Sequence, residues 1–258
     1  TYSAKPDAQE VSAASAAMLR HILAEHGAQR IVQHPWLHTH IVTARGRGLA
    51  GASGGPALVA GMGLAALANG LSRQLLHTAF QRVVFNSHGA PPLSLRGFDT
   101  RRVPLNTQTV PRALHASGSI PFVLEGERDI PGAPPGQYWD GGIIDYHFSL
   151  EDFSPQGLLL YPHFRADTTP GWFDKFLPWR RRKPRRSDWL VMLSPSAEFA
   201  RSLPLGKIPD RSDFTHMDSQ TRIEYWRSCV LRSRELAEDF QRQLQADDPL
   251  QNTRILGA

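Results

Sequence analysis

The pattern of hydrophobic and polar positions predicts helices at both ends of the chain. Apolar residues recur every three to four positions over 8–28 and again over 214–245, and this spacing gathers them on one face of a helix. We expect the first helix to stop near Gly27. Further helices are predicted over 105–118, after a proline, and over 75–85.

Short apolar or β-branched runs between these helices predict strands. These runs cover 31–32, 36–44, 83–85, 158–162 and 189–193. Strands that alternate with helices indicate an α/β layered fold.

A charge-free segment of 23 residues, 49–71, lies between Arg47 and Arg73. Its length would suit a membrane span. However, its many glycines and alanines lower its hydrophobicity, so we expect a buried or surface-seated helical hairpin instead.

Composition narrows the class of protein. The chain has 258 residues, 41% of them hydrophobic, and a mean hydropathy of −0.34, which predicts one large soluble domain or one domain with a helical extension. Its single cysteine, Cys229, excludes an intrachain disulfide framework and a cysteine-based zinc site. The net charge of +5 favours phosphate-bearing partners, either anionic lipid or nucleic acid.

Much of the excess positive charge lies directly after a cluster of aromatic residues in the sequence. Aromatic rings beside cations suit a membrane interface, where the rings lie at headgroup level and the cations meet phosphates. The predicted membrane-binding residues are Trp172, Phe173, Phe176, Trp179, Arg180, Arg181 and Arg182. The alternative is that the aromatics fill a core and the arginines form a solvated loop. No nucleic-acid-binding module surrounds the basic run, so we expect no nucleic-acid partner.

Two motifs about twenty residues apart carry the candidate chemistry. Ala116-Ser-Gly-Ser-Ile-Pro121 precedes a Gly/Pro-rich loop, and Asp140-Gly-Gly142 follows it. Two glycines behind an acid allow a tight turn with positive φ and close backbone approach. The pattern therefore predicts a carboxylate at a strand end, where a reacting group can reach it.

This pair of motifs resembles the second half of patatin-like phospholipases. The resemblance implies a three-layer α/β/α sandwich and a lipid acyl hydrolase with a Ser–Asp dyad. Asp140 is then the base, Gly141 and Gly142 belong to the active-site motif, and neither a cofactor nor a metal is needed. A lipid membrane or a phospholipid substrate is the implied partner. The expected location is the cytoplasm, with attachment to a membrane surface as an option.

The family's Gly-rich oxyanion turn and Gly-x-Ser-x-Gly elbow are not found before residue 30. We therefore expect residues 1–165 to be the C-terminal part of such a domain, incomplete at its N-terminal side. Residues 166–258 are expected to add the basic aromatic loop, a strand and the long C-terminal helix, packed on the same domain. The nucleophilic serine is then expected N-terminal to this chain, and the chain alone is expected to be inactive. The missing part, or a second copy, would cover its open side.

Three alternatives stay open. Gly51-Ala-Ser-Gly-Gly55 fits the nucleophile-elbow pattern, which makes Ser53 an alternative esterase nucleophile. The scaffold could also bind lipid or protein without catalysis. Asp140, Asp145 and His147 could together hold a metal, although turn capping and hydrogen bonding explain them more simply, and we predict no metal site.

Overall fold

The structure is a computed structural model that describes residues 6–89, 95–148, 157–164, 168–181 and 189–255. The chain divides into two compact units. The larger contains 2–156 and 168–182, and the smaller contains 157–167 and 183–258. Residues 168–182, which the prediction grouped with the C-terminal part, thus belong by their contacts to the larger unit. Arg182 lies outside the described residues.

The larger unit contains six α-helices and five strands among its described residues. In chain order they are α1 (Ala8–Leu23), α2 (Gly27–Gln33), β1 (His40–Gly46), α3 (Gly55–Leu71), α4 (Leu76–Ala79), β2 (Phe80–Asn86), β3 (Thr100–Pro104), α5 (Thr109–Ser117), β4 (Glu127–Arg128), β5 (Gln137–Asp140) and α6 (Gly142–Asp145). Short 3-10 helices cover Gly48–Gly51, Arg73–Leu75, Trp172–Phe176 and Pro178–Arg180.

The five strands form one mixed sheet in the order β3-β2-β1-β5-β4. β1 is antiparallel to both β2 and β5, whereas β2 and β3 are parallel. β5 is paired with β1 so that Asp140 lies opposite Thr43. The predicted α/β class is confirmed.

Helical elements cover both faces of this sheet. On one face, Ala44 and Trp139 pack against Leu58 and Met62 of α3 and against Ile143 of α6. On the other face, Ile41, Phe85 and Tyr138 pack against Val110 and Ala113 of α5. Side chains alternate between the faces of a strand, so consecutive residues Tyr138 and Trp139 anchor β5 in both layers.

The smaller unit pairs two parallel strands, β6 (Leu159–Pro162) and β7 (Leu190–Leu193). It also contains α7 (Ala197–Ser202), α8 (Asp213–His216) and the long helix α9 (Ser219–Leu244). Asp218 caps α9 by accepting hydrogen bonds from the backbone N–H groups of Gln220 and Thr221. Leu203, Tyr225 and Cys229 form its small buried cluster.

Several predicted elements are wrong in type or extent. Gly27 begins α2 rather than ending a helix, because α1 ends at Leu23 and Ala24 takes a positive φ of 47°. The predicted strand at 31–32 lies inside α2. The helix predicted over 75–85 gives way to β2, which is buried at every position and so shows no alternation of apolar and polar residues. The charge-free segment forms a 3-10 turn and the single helix α3, not a helical hairpin.

No helix within the described ranges combines the length and apolarity that crossing a bilayer requires.

Candidate functional site

The candidate site is built around Asp140, the last residue of β5. Trp139 and Tyr138 before it are fully buried. The Trp139 indole Nε1–H donates to the carbonyl oxygen of Ala50 at 3.1 Å, and the Tyr138 hydroxyl donates to the carbonyl of Pro134. These contacts fix the strand on both sides of the sheet, so the position of Asp140 is set by the core.

The two glycines after Asp140 are needed for close approach and not for a positive φ. Gly141 has φ −59°, and neither glycine lies in the left-handed region, which corrects the expectation from sequence. A Cβ on Gly141 would lie 2.3 Å from the carbonyl oxygen of Val42, and one on Gly142 would lie 3.0 Å from Asp140 Oδ1. Any side chain here would push the start of α6 away from β1 or from the carboxylate.

The Ala-Ser motif contacts the Asp-Gly-Gly motif directly. The Asp140 N–H donates to the carbonyl oxygen of Ser119 at 2.9 Å. The Ser117 hydroxyl donates to the Val42 carbonyl at 2.8 Å, and the Ser119 hydroxyl donates to the His115 carbonyl at 2.7 Å. The Ser119 hydroxyl therefore satisfies a carbonyl of α5 itself, and the Ser117 hydroxyl ties the end of α5 to β1, so both hold the turn against the acid.

The Asp140 carboxylate is half-buried and has one oxygen free for chemistry. Its Oδ1 accepts the Gly142 N–H at 2.7 Å. Its Oδ2 has no hydrogen bond within the described residues and is not among the polar atoms sealed from solvent. Burial raises the pKa of this carboxyl, while the Gly142 hydrogen bond and the charge of Lys175 lower it by less. A raised pKa makes a carboxylate a better proton acceptor from a hydroxyl.

Lys175 and Tyr146 join this site, and the sequence analysis did not single them out. The Lys175 Nζ lies 3.6 Å from the centroid of the Tyr146 ring, a cation–π contact. The edge of that ring lies 3.3 Å from a Cβ built on Gly142, which places it beside the acid. The signal in the sequence is a lysine inside the aromatic cluster, whose other members the sequence analysis assigns to membrane binding.

Asp145 is engaged in a buried ion pair and is not free to bind a metal. Both of its carboxylate oxygens accept hydrogen bonds from the Arg82 guanidinium, each at 2.6 Å. His147 Nδ1 accepts the Thr169 N–H at 2.6 Å. The described residues contain no cluster of three or more potential metal ligands. These contacts tie α6 to β2 and so hold the segment that follows Asp140.

Ser53 does not occupy a nucleophile elbow. β1 ends at Gly46, the 3-10 helix Gly48–Gly51 follows, and Ser53 lies exposed just before α3. An elbow requires the strand to lead directly into the nucleophile turn. In addition, Ser53 and Asp140 lie near different parts of β1. The helix α6, which follows Asp140, starts beside Val42 near the middle of β1, whereas Ser53 comes after the end of that strand.

The predicted membrane-binding residues have different environments. Phe176 and Trp179 are 72% and 75% exposed, and Arg181 is exposed as well. Trp172 packs partly against the core, and Phe173 is buried within it. Phe173 therefore cannot contact a bilayer, which corrects the expectation for that residue.

Arg180 is held by a buried acid instead of facing a headgroup. Its guanidinium donates to Asp174 Oδ1 at 2.9 Å and to Asn69 Oδ1 at 3.2 Å. Asp174 is completely buried, and its Oδ2 lies 3.4 Å from Arg73 Nε. A buried carboxylate needs such partners, so this network fixes the 3-10 helix Trp172–Phe176 against the end of α3.

Comparisons of the chain with models of protein families, with curated proteins and with solved structures gave no match.

Proposed function

We propose that this chain is the acid-bearing part of a lipid acyl hydrolase of the patatin-like type, in which Asp140 is the base of a Ser–Asp dyad. The observation that carries this proposal is the half-buried Asp140 carboxylate, whose Oδ2 has no hydrogen bond within the described residues and is not sealed from solvent. The direct contact between the Ala-Ser and Asp-Gly-Gly motifs gives further support.

In the proposed reaction, Asp140 Oδ2 accepts the proton of a serine hydroxyl as the serine oxygen attacks the ester carbonyl. The carbonyl oxygen becomes an oxyanion, the ester C–O bond breaks, and the leaving alkoxide takes the proton from Asp140, which restores the base. Water then repeats the sequence on the acyl-enzyme. No serine hydroxyl in the described part of the chain bonds to the Asp140 carboxylate. The resemblance to patatin-like phospholipases supports a nucleophile N-terminal to this chain.

The proposed partners are a phospholipid membrane and the N-terminal part of the protein, or a second copy of the chain. The apolar surface of α3 supports this choice, because one side of the helix is uncovered in the structure. Its exposed apolar residues are Val59, Leu64, Leu67 and Leu71. A surface of this kind marks an interaction site.

The test is ester hydrolysis by the full-length natural protein that carries this chain. Asp140→Asn keeps the size of the side chain and an oxygen for the Gly142 N–H, but it removes the base, so hydrolysis should fall to background with the fold intact. Circular dichroism checks the fold.

Asp129→Asn is the matched control. Asp129 Oδ1 also accepts a backbone N–H, from Gly136 at 2.7 Å, but it lies outside the proposed site. This variant should keep the wild-type rate. Wild-type hydrolysis by Asp140→Asn would overturn the assignment.

A fluorophosphonate probe followed by intact-mass analysis separates the alternatives. The proposal predicts labelling of the full-length protein at a serine before this chain, and that labelling should depend on Asp140. Labelling at Ser53 would instead favour the esterase alternative, and no labelling of the full-length protein would favour a non-catalytic lipid- or protein-binding role.

A further inference from the structure

Two histidines face each other at one end of the paired strands β1 and β2. The ring centroids of His38 and His88 lie 5.2 Å apart, and the rings are tilted by 30°. His38 lies two residues before β1 begins, and His88 lies two residues after β2 ends. Both side chains are exposed, so a solute can reach them.

The antiparallel pairing of the two strands brings these histidines together. The Ser87 N–H donates to the Thr39 carbonyl oxygen at 3.0 Å, and the Thr39 N–H donates to the Ser87 hydroxyl at 2.9 Å. Thr39 and Ser87 thus form a hydrogen-bonded pair just beyond the strands, and His38 and His88 form the next pair. A pair that follows a hydrogen-bonded one is not itself bonded, and its Cα atoms are only about 4.5 Å apart, which brings the side chains close.

The nitrogens of both rings are available. Within the described residues, neither ring has a hydrogen bond or an ion pair, and the contact between the two rings is the interaction that they share. The nearby His40 differs, because its Nδ1 pairs with Asn86 Oδ1 at 3.0 Å. A neutral imidazole keeps one nitrogen lone pair, so His38 and His88 together present two electron-pair donors to solvent.

The distance between the rings matches that of two imidazoles bound to one metal ion. Zinc binds imidazole nitrogen at about 2.0–2.1 Å with tetrahedral angles, which places the centroids of two such rings about 5 Å apart. The χ2 torsion of histidine is broad, so each ring can turn a nitrogen toward the shared position without a change in the backbone. Imidazole nitrogen suits Zn²⁺, Cu²⁺ and Ni²⁺, whereas Mg²⁺ and Ca²⁺ favour oxygen ligands.

We propose that His38 and His88 bind one divalent transition-metal ion of this class and that the ion joins the ends of β1 and β2. The described residues contain no group of three potential metal ligands, so water completes the coordination. The site goes beyond the proposed function, whose Ser–Asp chemistry uses no metal. It is also separate from Asp145 and His147, which are engaged in other contacts.

The experiment is calorimetric titration of the full-length natural protein, without an affinity tag, with Zn²⁺, Cu²⁺ and Ni²⁺. We expect Cu²⁺ to bind most tightly. His38→Gln and His88→Gln should each fold, because both positions are exposed. Each should weaken Zn²⁺ binding at least about tenfold, since even the loss of an outer partner of a metal site costs about 10–100-fold in affinity. Zn²⁺ affinity that is unchanged in either variant would overturn the proposal.

His21→Gln is the matched control. His21 is also an exposed histidine, but it lies on α1 and has no contact with another ring within the described residues. This variant should keep the wild-type affinity for Zn²⁺, and a loss equal to that of His38→Gln would overturn the paired site. Asp140→Asn should also keep the wild-type affinity, because this site does not depend on the proposed hydrolysis.

Pulsed electron paramagnetic resonance of the Cu²⁺ complex counts the imidazoles that bind the ion. The wild-type protein should show two, and His88→Gln should show one. A single imidazole in the wild-type complex would contradict the shared site.

Zn²⁺ should also raise the Tm of the wild-type protein. An ion that binds both strand ends in the folded state, and finds no such pair in the unfolded chain, stabilises the fold by mass action. The rise should be absent from the double variant His38→Gln/His88→Gln. An equal rise in that variant would mean that the stabilising ion binds elsewhere, and the proposal would fail.

Discussion

The buried ion pair between Arg82 and Asp145 should contribute strongly to the stability of the larger unit. The side chains of Arg82 and Asp145 are only 3% and 9% exposed, and two hydrogen bonds of 2.6 Å join them. Asp145→Asn removes the negative charge and leaves the guanidinium buried. Removing one partner of such a pair costs about 3–5 kcal/mol, a large fraction of the 5–15 kcal/mol that stabilises a typical domain.

Other contacts of the Arg82 guanidinium limit this loss of stability but are too weak to cancel it. The Arg82 guanidinium also donates to the Thr100 hydroxyl at 3.0 Å and lies 5.2 Å from the centroid of the Phe98 ring. A hydrogen bond from a charged donor contributes about 1.5–3 kcal/mol net and a cation–π contact about 0.5–2 kcal/mol, but both are already made in the wild type and so only limit the cost of the lost carboxylate. We therefore expect a net loss near the lower end of the range, about 3 kcal/mol.

Urea unfolding, followed by near-UV and far-UV circular dichroism, measures this loss as a change in the free energy of unfolding. Asp129→Asn is the control, because Asp129 is 57% exposed and its contact with Arg128 is long, at 3.6 Å. Exposed pairs contribute at most about 1 kcal/mol.

The double variant Arg82→Met/Asp145→Leu removes both charges and should recover most of the stability. A loss below about 1 kcal/mol in Asp145→Asn, equal to the control, would show that the pair does not anchor α6.

Three further predictions concern charge and exposure. Burial raises the pKa of Asp140, so folding favours the protonated carboxyl. The contribution of this group to the free energy of unfolding is fully present below about pH 3.8 and is lost as pH rises through the pKa of the folded state. Asp140→Asn should therefore be more stable than wild type at pH 7 and no more stable at pH 3 in urea unfolding; a deficit at pH 7 would contradict this reasoning. Burial acts to raise the pKa of Glu127, but hydrogen bonds from its histidine and arginine partners outweigh it and leave the pKa lowered, so its stabilisation is present above about pH 4.5 and is lost as pH falls through the folded pKa. Glu127→Gln should cost about 1.5–3 kcal/mol at pH 7 and little at pH 3, and a loss independent of pH would exclude the electrostatic cause. Phe176→Ser/Trp179→Ser should reduce sedimentation with anionic vesicles, whereas Trp36→Ser, equally exposed at 77%, should not; equal loss in both variants would argue against a local membrane contact.

Local pattern predicted the type of several elements but not which of their residues are buried. The long helix α9 and the strands β6 and β7 follow from helical spacing and short apolar runs, yet Val230, Leu231 and Leu160 are exposed. Within β2, only 83–85 is predicted as strand and the preceding residues as helix, because all seven positions of β2 are buried and a strand covered on both faces has no alternating pattern. The division between α1 and α2 depends on a single backbone conformation at Ala24, which propensity does not reveal.

By itself, the sequence determined the α/β class and the strand-end position of Asp140, because glycine spacing, β-branched runs and helical periodicity are local properties of the chain. The tertiary structure decided which neighbours surround that acid. The register of β1 and β5 places Asp140 opposite Thr43, and the buried Asp174 network holds the helix that carries Lys175. Residues 140 and 175 are far apart along the chain, and only packing sets the burial and the field that one carboxylate experiences.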